Sequence, residues 1–290
     1  MSVLVLGATG NVGPHVVAEL RAIGSTPRVL VRDGDRARAL LGEDIEVIAG
    51  DVTDPAVLHS AIDDVDSAFL LSPHSFTMAD LQLSVIRTLR RTGIRIVKIS
   101  GTASAITPDG PHACREHWEI ERVLHDSGQP FVILRPNSYM QVLVGQLLLP
   151  ALRSTGNLIN PIGSAGISMV DARDVGAVAA RVLTRHDWDG QTLSITGPRA
   201  VGYAEIAGLV AERSRTSPTV VDVSLDGVRS ALIERGMAPW EADHFREMYE
   251  LFKQGESAFI TDTVLSVTGR SPRTIEAFLD EALAHDEVSA

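Results

Sequence analysis

Three glycines near the N-terminus have the spacing of a phosphate-binding loop. Gly7, Gly10 and Gly13 follow a short apolar run at residues 3–6 and precede a pattern of apolar residues at helical spacing. In this context the first glycine permits a tight turn, the second lets the backbone approach a pyrophosphate, and the third lets the helix pack closely on the strand. Free N–H groups at the start of the helix would face the phosphates. The sequence therefore predicts a dinucleotide-binding turn, with contacts from Gly7, Thr9, Gly10, Asn11, Val12 and Gly13.

The residue after the second predicted strand indicates which dinucleotide to expect. Arg32 stands where NAD-preferring folds carry an acid, and Arg36 and Arg38 add positive charge nearby. A guanidinium can hold the 2′-phosphate of NADP through two parallel hydrogen bonds. Two alternatives stay open: Arg32 is only a solvated strand-end residue, or Asp33 bonds a ribose hydroxyl. We predict NADPH over NADH.

Residues at the ends of later strands complete the predicted cofactor site. Asp51 and Val52 follow the third strand, where a carboxylate can accept the adenine amine and an N–H can serve a ring nitrogen. The alternative for Asp51 is a turn or helix cap. Ser72 follows the fourth strand. Pro136 and Asn137 end the sixth, where we expect backbone contacts on the nicotinamide side.

An alternation of strands and helices must position these residues. Strands and helices alternate six times, and several strands are apolar on both faces, which predicts a doubly wound parallel α/β sheet with right-handed crossovers. Ligands of such sheets lie beyond the carboxyl ends of the strands. The predicted strands are residues 3–6, 27–31, 45–49, 66–71, 94–99 and 131–134. The helices between them begin near residue 16 and cover 36–41, 55–62, 79–91 and 111–127.

The second half is less regular and predicts a smaller, mainly helical cap. We assign residues 1–155 to the dinucleotide-binding domain, which the chain rejoins at about 168–198, and 199–290 to the cap, with 136–167 contributing to the cleft. The predicted elements are an apolar helix at 139–149, a glycine- and asparagine-rich connection at 156–168, a helix at 171–183 and a strand at 192–195. Beyond them we expect helices at 203–213, 225–235, 239–253 and 273–285 and a strand at 219–223.

Composition and charge exclude several classes of partner. The formal net charge of −11 over 290 residues argues against a nucleic acid or an anionic membrane surface. A single cysteine, Cys114, rules out an intrachain disulfide and a cysteine-based zinc site, and no His-Glu-x-x-His spacing predicts another metal. The start of the chain does not read as a signal peptide and the longest apolar stretch is too short to span a bilayer, so we expect a cytoplasmic protein. The expected partner is a small apolar substrate, and the sequence leaves a homodimer open.

Several motifs together resemble the NmrA-like proteins, which are atypical members of the short-chain dehydrogenase/reductase superfamily. The resemblance covers nearly the whole chain and implies a Rossmann-type fold that binds NADP. That family includes NADPH-dependent quinone reductases, isoflavone-reductase-like enzymes and redox-sensing regulators without known turnover. The motifs are GATGNVG (7–13), Arg32, GDVTD (50–54), HWEIERVL (117–124), LRPNSYMQ (134–141) and TVLSVTGRSPRTIEAFLDE (263–281).

The resemblance also shows that a catalytic pair is missing. Typical members of the superfamily carry Tyr-x-x-x-Lys on the helix after the fifth strand. Here the spacing to Glu121 places the lysine position at His117 and the tyrosine position at Ala113. Tyr249 and Lys253 match the spacing, but they lie in the late helical region, and we interpret the match as chance because such pairs are common on helices.

Three other side chains are the catalytic candidates. His117 can donate a proton or hold the ribose, since histidine titrates near neutrality. Ser100 stands where the superfamily places a substrate-orienting serine, and Tyr139 can reach the cleft after the sixth strand. Their structural alternatives are helix packing, a cap and burial in the core, respectively. Cys114 shows no sign of a nucleophile.

These observations favour a reductase of activated acceptors. The nicotinamide would carry the hydride, and the protein would supply position and a dry pocket. A quinone or conjugated carbonyl can take its proton from solvent or one weak acid. We predict an NADPH-dependent oxidoreductase of a small conjugated carbonyl or quinone, with a pocket lined by residues 140–152 and the cap around Trp240. The alternative is a non-catalytic NADP-binding sensor that acts through a protein partner.

Overall fold

Seven parallel strands form the central sheet, which we describe from a computed structural model covering residues 1–214 and 216–287. The strand order is β3-β2-β1-β4-β5-β6-β8, and every neighbouring pair is parallel. The predicted doubly wound sheet is therefore confirmed. The strands of the described residues are β1 (Ser2–Leu6), β2 (Thr26–Val31), β3 (Glu46–Ala49), β4 (Ser67–Leu70), β5 (Arg95–Ile99), β6 (Phe131–Pro136), β7 (Asn157–Asn160), β8 (Thr192–Ile195) and β9 (Thr219–Asp222).

Helices cover both faces of the sheet and form most of the cap. The helices before the cap are α1 (Gly13–Ala22), α2 (Gly34–Leu41), α3 (Pro55–Ala61), α4 (Met78–Leu89) and α5 (His112–His125). A π-helical stretch (Gln141–Leu148) continues into α6 (Leu149–Thr155) and is followed by α7 (Ala172–Thr184). The remaining helices are α8 (Tyr203–Arg213), α9 (Leu225–Glu234), α10 (Pro239–Lys253), α11 (Thr263–Thr268) and α12 (Ile275–Glu287).

Strand β1 shows why the sheet needs helices on both sides. Successive side chains of a strand point to opposite faces. Val3 and Val5 enter the hydrophobic cluster that α1 and α7 cover, whereas Leu4 and Leu6 enter the cluster under α3, α4 and α5. All four side chains are buried, so a strand that is apolar at every position is stable only between two layers of helices.

The cap contains a small sheet that the sequence analysis missed. Strand β7 lies inside the segment interpreted as a connection and pairs in parallel with β9. Asn160 at the end of β7 donates from Nδ2 to the Asp222 carboxylate at 2.6 Å, which joins the two strand ends. A four-residue strand followed by turn residues has too little alternation for its pattern to be recognised. The short helix α11 was missed for the same reason of length.

The apolar stretch after Tyr139 forms the core of the cap. The prediction that residues 140–152 line the substrate pocket is wrong, because their buried side chains pack against α8 and α12 instead. The members of this stretch in the cap core are Met140, Leu143, Val144, Leu148, Leu149 and Leu152. Apolar side chains at this density need a continuous apolar partner, and the two amphipathic helices provide one.

Among residues 1–214 and 216–287, no helix combines the length and the apolar character that a membrane crossing needs.

Candidate functional site

The strand order reverses between β1 and β4, which opens a crevice at the carboxyl edge of the sheet. Two cavities lie there: an outer cavity of about 450 Å³ above β1, β2 and β3, and an inner cavity of about 320 Å³ above β4, β5 and β6. Leu71 and Ser72, just after β4, line both cavities. This reversal is where open α/β sheets bind their ligands, and the shared residues make the two cavities neighbouring parts of one cleft.

The glycine loop forms the wall of the cleft between β1 and α1. Gly7 has a φ of +72°, and the N–H of Gly10 donates to the carbonyl oxygen of Gly7 at 3.2 Å. Gly10 is exposed, and a Cβ there would meet only that oxygen, at 3.5 Å. The N–H groups of Val12 and Gly13, at the start of α1, donate to no acceptor among the described residues. Unpaired backbone donors at a helix N-terminus fit a pyrophosphate.

Arginine side chains give the outer cavity its positive charge. Arg32 and Arg36 both line it, together with Asp33. The Asp33 carboxylate accepts the N–H of Arg36 at 3.0 Å and thereby caps α2. Capping α2 accounts for an acid next to Arg32, so no contact with a ribose is needed to explain Asp33. The geometry therefore favours the phosphate-binding interpretation of Arg32.

The carboxylate of Asp51 lines the outer cavity beside Val52. Oδ1 of Asp51 accepts both the hydroxyl and the N–H of Thr53, at 2.7 and 2.8 Å. These hydrogen bonds hold the pKa of Asp51 below its ordinary value, so the side chain stays ionised. The cap of α3 is Asp54, which accepts the N–H of Ala56 at 2.8 Å. Asp51 thus belongs to a turn, with its second oxygen directed to no partner among the described residues.

The inner cavity brings together six of the residues that the sequence analysis selected. Its lining also includes side chains from β4, α5 and α10 that were not selected. The selected residues are Ser72, Ser100, His117, Pro136, Asn137 and Tyr139. The unselected ones are Leu71, His74, Met78, Ile99, Gly101, Thr102, Ala113, Cys114, Ser138, His244 and Met248. The remaining selected residues, Gly10 to Gly13, form the loop beside the outer cavity and line neither one.

The hydroxyl of Ser100 is hydrogen-bonded to a buried ion pair. Its hydroxyl donates to Oε1 of Glu121 at 2.5 Å, and Arg135 binds both oxygens of the same carboxylate. Because the hydroxyl hydrogen points away from the cavity, Ser100 can accept a hydrogen bond from a ligand but has none to donate. Its position at the end of β5 is as expected, whereas a role as a proton donor is not supported.

His117 lies on α5 with a buried lysine behind it. Nδ1 of His117 is 2.9 Å from Nζ of Lys98, on β5. Burial, followed by the nearby Lys98, lowers the pKa of His117 well below its ordinary 6.5, so the imidazole is neutral. Sequence reasoning missed Lys98 because it looked for a lysine on α5. The signal was available, since Lys98 is the only charged residue in the otherwise apolar run 96–99.

Tyr139 lines the inner cavity and has a buried, unpaired hydroxyl. The ring packs on the hydrophobic cluster of β5 and β6, but its Oη is buried without a hydrogen-bond partner among the described residues. Burial raises the pKa of Tyr139, so the phenol stays protonated. Buried hydroxyls are normally paired, and this one lacks a partner among the described residues. Both alternatives for Tyr139 find support: the ring packs on the core, and the residue lines the inner cavity.

The side chain of Asn137 is fully used inside the protein. Nδ2 donates to Oγ of Ser168 at 2.8 Å and to the carbonyl oxygen of Ser257 at 2.9 Å. Oδ1 accepts the hydroxyl of Thr102 at 2.5 Å and the N–H of Ser138 at 2.9 Å. The backbone N–H of Asn137 bonds β8, so only the carbonyl oxygen is left for a cofactor. A backbone contact of Asn137 with the cofactor stays a prediction.

The other side chains that the sequence analysis discussed lie outside the proposed chemistry. Burial raises the pKa of Cys114 to about 12, so the thiol is protonated and no nucleophile. Trp240 does not line the inner cavity, contrary to expectation, but packs edge-on against His74, which does. Tyr249 belongs to the core of the cap and Lys253 is exposed, so the Tyr-x-x-x-Lys match lies outside the cleft. Within the described ranges, no group of three or more potential ligands could hold a metal ion.

Comparison with known proteins gives consistent matches over most of the chain. The model of the NmrA-like family matches residues 1–258. The NAD(P)H azoreductase of Xenophilus azovorans is 31% identical over 95% of this chain and 96% of its own. The (4-alkanoyl-5-oxo-2,5-dihydrofuran-3-yl)methyl phosphate reductase of Streptomyces griseus is 30% identical over 99% of both. The NADPH complex of an NADPH-dependent quinone oxidoreductase from Escherichia coli superimposes with a TM-score of 0.86, at 25% identity over 98% of this chain and 99% of that one.

Proposed function

The chain belongs to the NmrA-like family, and we propose that it is an NADPH-dependent oxidoreductase that reduces small quinone-like or conjugated carbonyl acceptors. Its relatives are a NAD(P)H azoreductase, an oxo-dihydrofuran reductase and an NADPH-dependent quinone oxidoreductase. Each of these names describes a reduction, and two of them also name a nicotinamide cofactor. The enzyme interpretation is therefore favoured over the NADP-binding sensor.

One observation carries the proposal: the outer cavity opens directly into a largely apolar inner cavity that Tyr139 and His117 line. The outer cavity has Gly7 and Thr9 of the glycine loop, Arg32 and Asp51 for the adenosine half of NADPH. The inner cavity continues past Ser72 and is lined by Tyr139 and His117. We also retain, as a proposal, the division into a dinucleotide-binding part (1–155 and about 168–198) and a cap (199–290), with 136–167 at the cleft.

The residues of the inner cavity divide the work of a reduction. The nicotinamide, when bound, supplies the hydride. Tyr139 donates its hydroxyl hydrogen to the acceptor oxygen and so stabilises the negative charge that develops there. His117 gives that oxygen its proton, because its neutral imidazole carries one N–H and lines the cavity. Apolar side chains such as Leu71 and Met248 exclude water from the acceptor.

Steady-state turnover tests the function directly. We expect the protein to oxidise NADPH in the presence of simple quinones or conjugated enones and lactones, and to show no oxidation without an acceptor. Saturating NADPH binding measured by fluorescence, combined with no turnover on any of these acceptors, would refute the reductase and support the sensor.

Arg32→Ala should change the choice of cofactor. Loss of a hydrogen-bonded charge on the 2′-phosphate costs about 1.5–3 kcal/mol, so the Kd for NADPH should rise at least about tenfold. The Kd for NADH should change little, because NADH has no 2′-phosphate. Both are measurable by fluorescence titration. Arg38→Ala is the matched control, since Arg38 lies on α2, pairs with Asp35 at 3.6 Å and does not line the outer cavity. Equal losses for NADPH and NADH in Arg32→Ala would contradict the assignment.

A further inference from the structure

A buried lysine stands directly behind the proposed proton donor. Lys98 has no exposed surface, and its Nζ contacts Nδ1 of His117 at 2.9 Å and the carbonyl oxygen of Ile99 at 3.0 Å. No carboxylate forms a salt bridge with Lys98 among the described residues. An ammonium group is costly to bury without such a partner, and an apolar residue would pack this position at lower cost. The arrangement therefore calls for a role beyond packing.

We propose that Lys98 is a positioning and proton-supplying residue for the reduction: it holds His117 in one tautomer and replaces the proton that His117 gives to the acceptor. The proposal rests on the proposed function, in which His117 protonates the reduced acceptor. Lys98 on β5 and His117 on α5 would then act as a pair.

The contact with Lys98 determines which nitrogen of His117 carries the hydrogen. In its ammonium form Lys98 has hydrogens to donate and no lone pair to accept with, so Nδ1 of the neutral ring is then the acceptor. The hydrogen of the ring is then on Nε2. This nitrogen has no partner within the described part of the chain, and the ring lines the inner cavity. The lysine thus directs the donor edge of the imidazole toward the acceptor.

The charges around Lys98 make it the group that exchanges a proton near neutrality. Burial is the main effect and lowers the pKa of Lys98 to about 7. The Glu121 carboxylate opposes this shift and the Arg135 guanidinium adds to it. Lys98 is therefore protonated below about pH 7 and becomes neutral as the pH rises above it.

The groups that face His117 all oppose its protonation. After burial, the nearby cations and rings of Lys98, His74, His244 and Arg135 each lower the pKa of His117. A resting imidazolium is therefore disfavoured. The stored proton of the pair is on the lysine rather than on the ring.

The proton transfer balances as follows. Hydride addition leaves negative charge on the acceptor oxygen; the Nε2–H bond of His117 breaks as the O–H bond forms, and a proton passes from Nζ of Lys98 to Nδ1. After the product leaves, a proton from water adds to Nε2, and the Nδ1 proton returns to Nζ. Each turnover thus consumes one hydride and one solvent proton, and the pair returns to its starting state.

Nuclear magnetic resonance tests the pair without turnover. The chain has two lysines, Lys98 and Lys253, so labelling lysine at Cε gives two signals, and Lys253→Met identifies them. We expect the Lys98 signal to titrate near pH 7. Histidine ¹⁵N shifts should show His117 as the Nε2–H tautomer, and Lys98→Met should convert it to a mixture. A Lys98 signal that does not titrate between pH 5 and 9, or an Nδ1–H tautomer in the unmodified protein, overturns the proposal.

Kinetics test the proton supply. In the unmodified protein, kcat for a quinone should fall as the pH rises through about 7, because the protonated form of Lys98 is lost. Lys98→Met should lower kcat at pH 6 by about 100-fold, the lower end of general acid catalysis, and remove that pH dependence. The Kd for NADPH should stay unchanged. Lys253→Met is the control, and it should retain both the rate and the pH profile.

A further variant separates positioning from proton supply. Lys98→Arg still donates to Nδ1 but does not release its proton, so it should keep the Nε2–H tautomer and show a low, pH-independent kcat. Should either variant fail to fold, the titration, tautomer and pH profile of the unmodified protein still decide the question. A raised Kd for NADPH with unchanged kcat in Lys98→Met assigns the lysine to cofactor binding and overturns the proposal. Absence of any turnover in the unmodified protein refutes the proposed function, whereas the resonance data report on the pair alone.

Discussion

Gly13→Ala should abolish NADPH binding and destabilise the fold by about 3 kcal/mol or more, at or above the upper end of typical overpacking costs. A Cβ at residue 13 would lie 2.2 Å from the carbonyl oxygen of Gly7 and 2.5 Å from Cα of Ala8. Both atoms are backbone, and Ala8 is fully buried, so no side-chain rotation relieves the clash. The loop itself would have to move, and with it the unpaired N–H groups that we propose bind the pyrophosphate. Chemical denaturation and NADPH fluorescence measure the two effects.

Gly208→Ala is the matched control for this substitution. Gly208 is exposed on α8, and a Cβ there meets nothing within 4 Å. Replacing glycine by alanine inside a helix should stabilise the protein by about 0.5–1 kcal/mol. NADPH binding should be unaffected. If Gly13→Ala retained the stability and affinity of the unmodified protein, α1 would not need its close approach to β1, and the loop would not be the phosphate site.

The glycine loop also shows what the sequence alone can establish. A strand, three spaced glycines and a helix leave one backbone arrangement, because each glycine is needed at a specific close contact or turn. The same local logic identified the carboxyl ends of the strands as the cleft, and the selected residues Arg32, Asp51, Ser72 and Asn137 line it. Local pattern therefore predicted residues that line the cleft, and their contact with a nucleotide stays a prediction.

The chemistry of the inner cavity depends on pairs that no local pattern reveals. Lys98 and His117 are 19 residues apart and meet only because β5 and α5 pack together. The engagement of Ser100 by Glu121 is of the same kind. The aliphatic stretch at 140–152 was assigned to the pocket because its composition is apolar, but composition does not indicate which apolar neighbour a helix meets. Such tertiary pairings were therefore missed or misassigned.

Asn137→Asp should be the most damaging change within the inner cavity, although it alters one atom. The new carboxylate oxygen would replace an NH₂ donor and face the carbonyl oxygen of Ser257, which accepts from Nδ2 at 2.9 Å. Asn137 is 2% exposed, so the charge would be buried without a cation. Leaving a buried charge uncompensated costs about 3–5 kcal/mol. We expect a loss of stability of this size at pH 7, together with loss of reductase activity, since Thr102 and Ser168 are anchored to the same side chain.

The loss should depend on pH with a defined sign. Burial beside a carbonyl raises the pKa of the new aspartate in the folded state above its value of about 3.9 in the unfolded chain. The unfolded chain therefore releases the proton first, and the variant loses stability as the pH rises through the folded-state pKa. Below that pKa the neutral acid can again donate to Ser257, so denaturation near pH 5 should show a smaller deficit than at pH 7.

Asn157→Asp, at the half-buried start of β7, is the control and should stay within about 0.5 kcal/mol of the unmodified protein at both pH values. A deficit in Asn137→Asp that is equal at pH 5 and pH 7 would mean that the charge is solvated, and that Asn137 is not the hub that fixes the inner cavity.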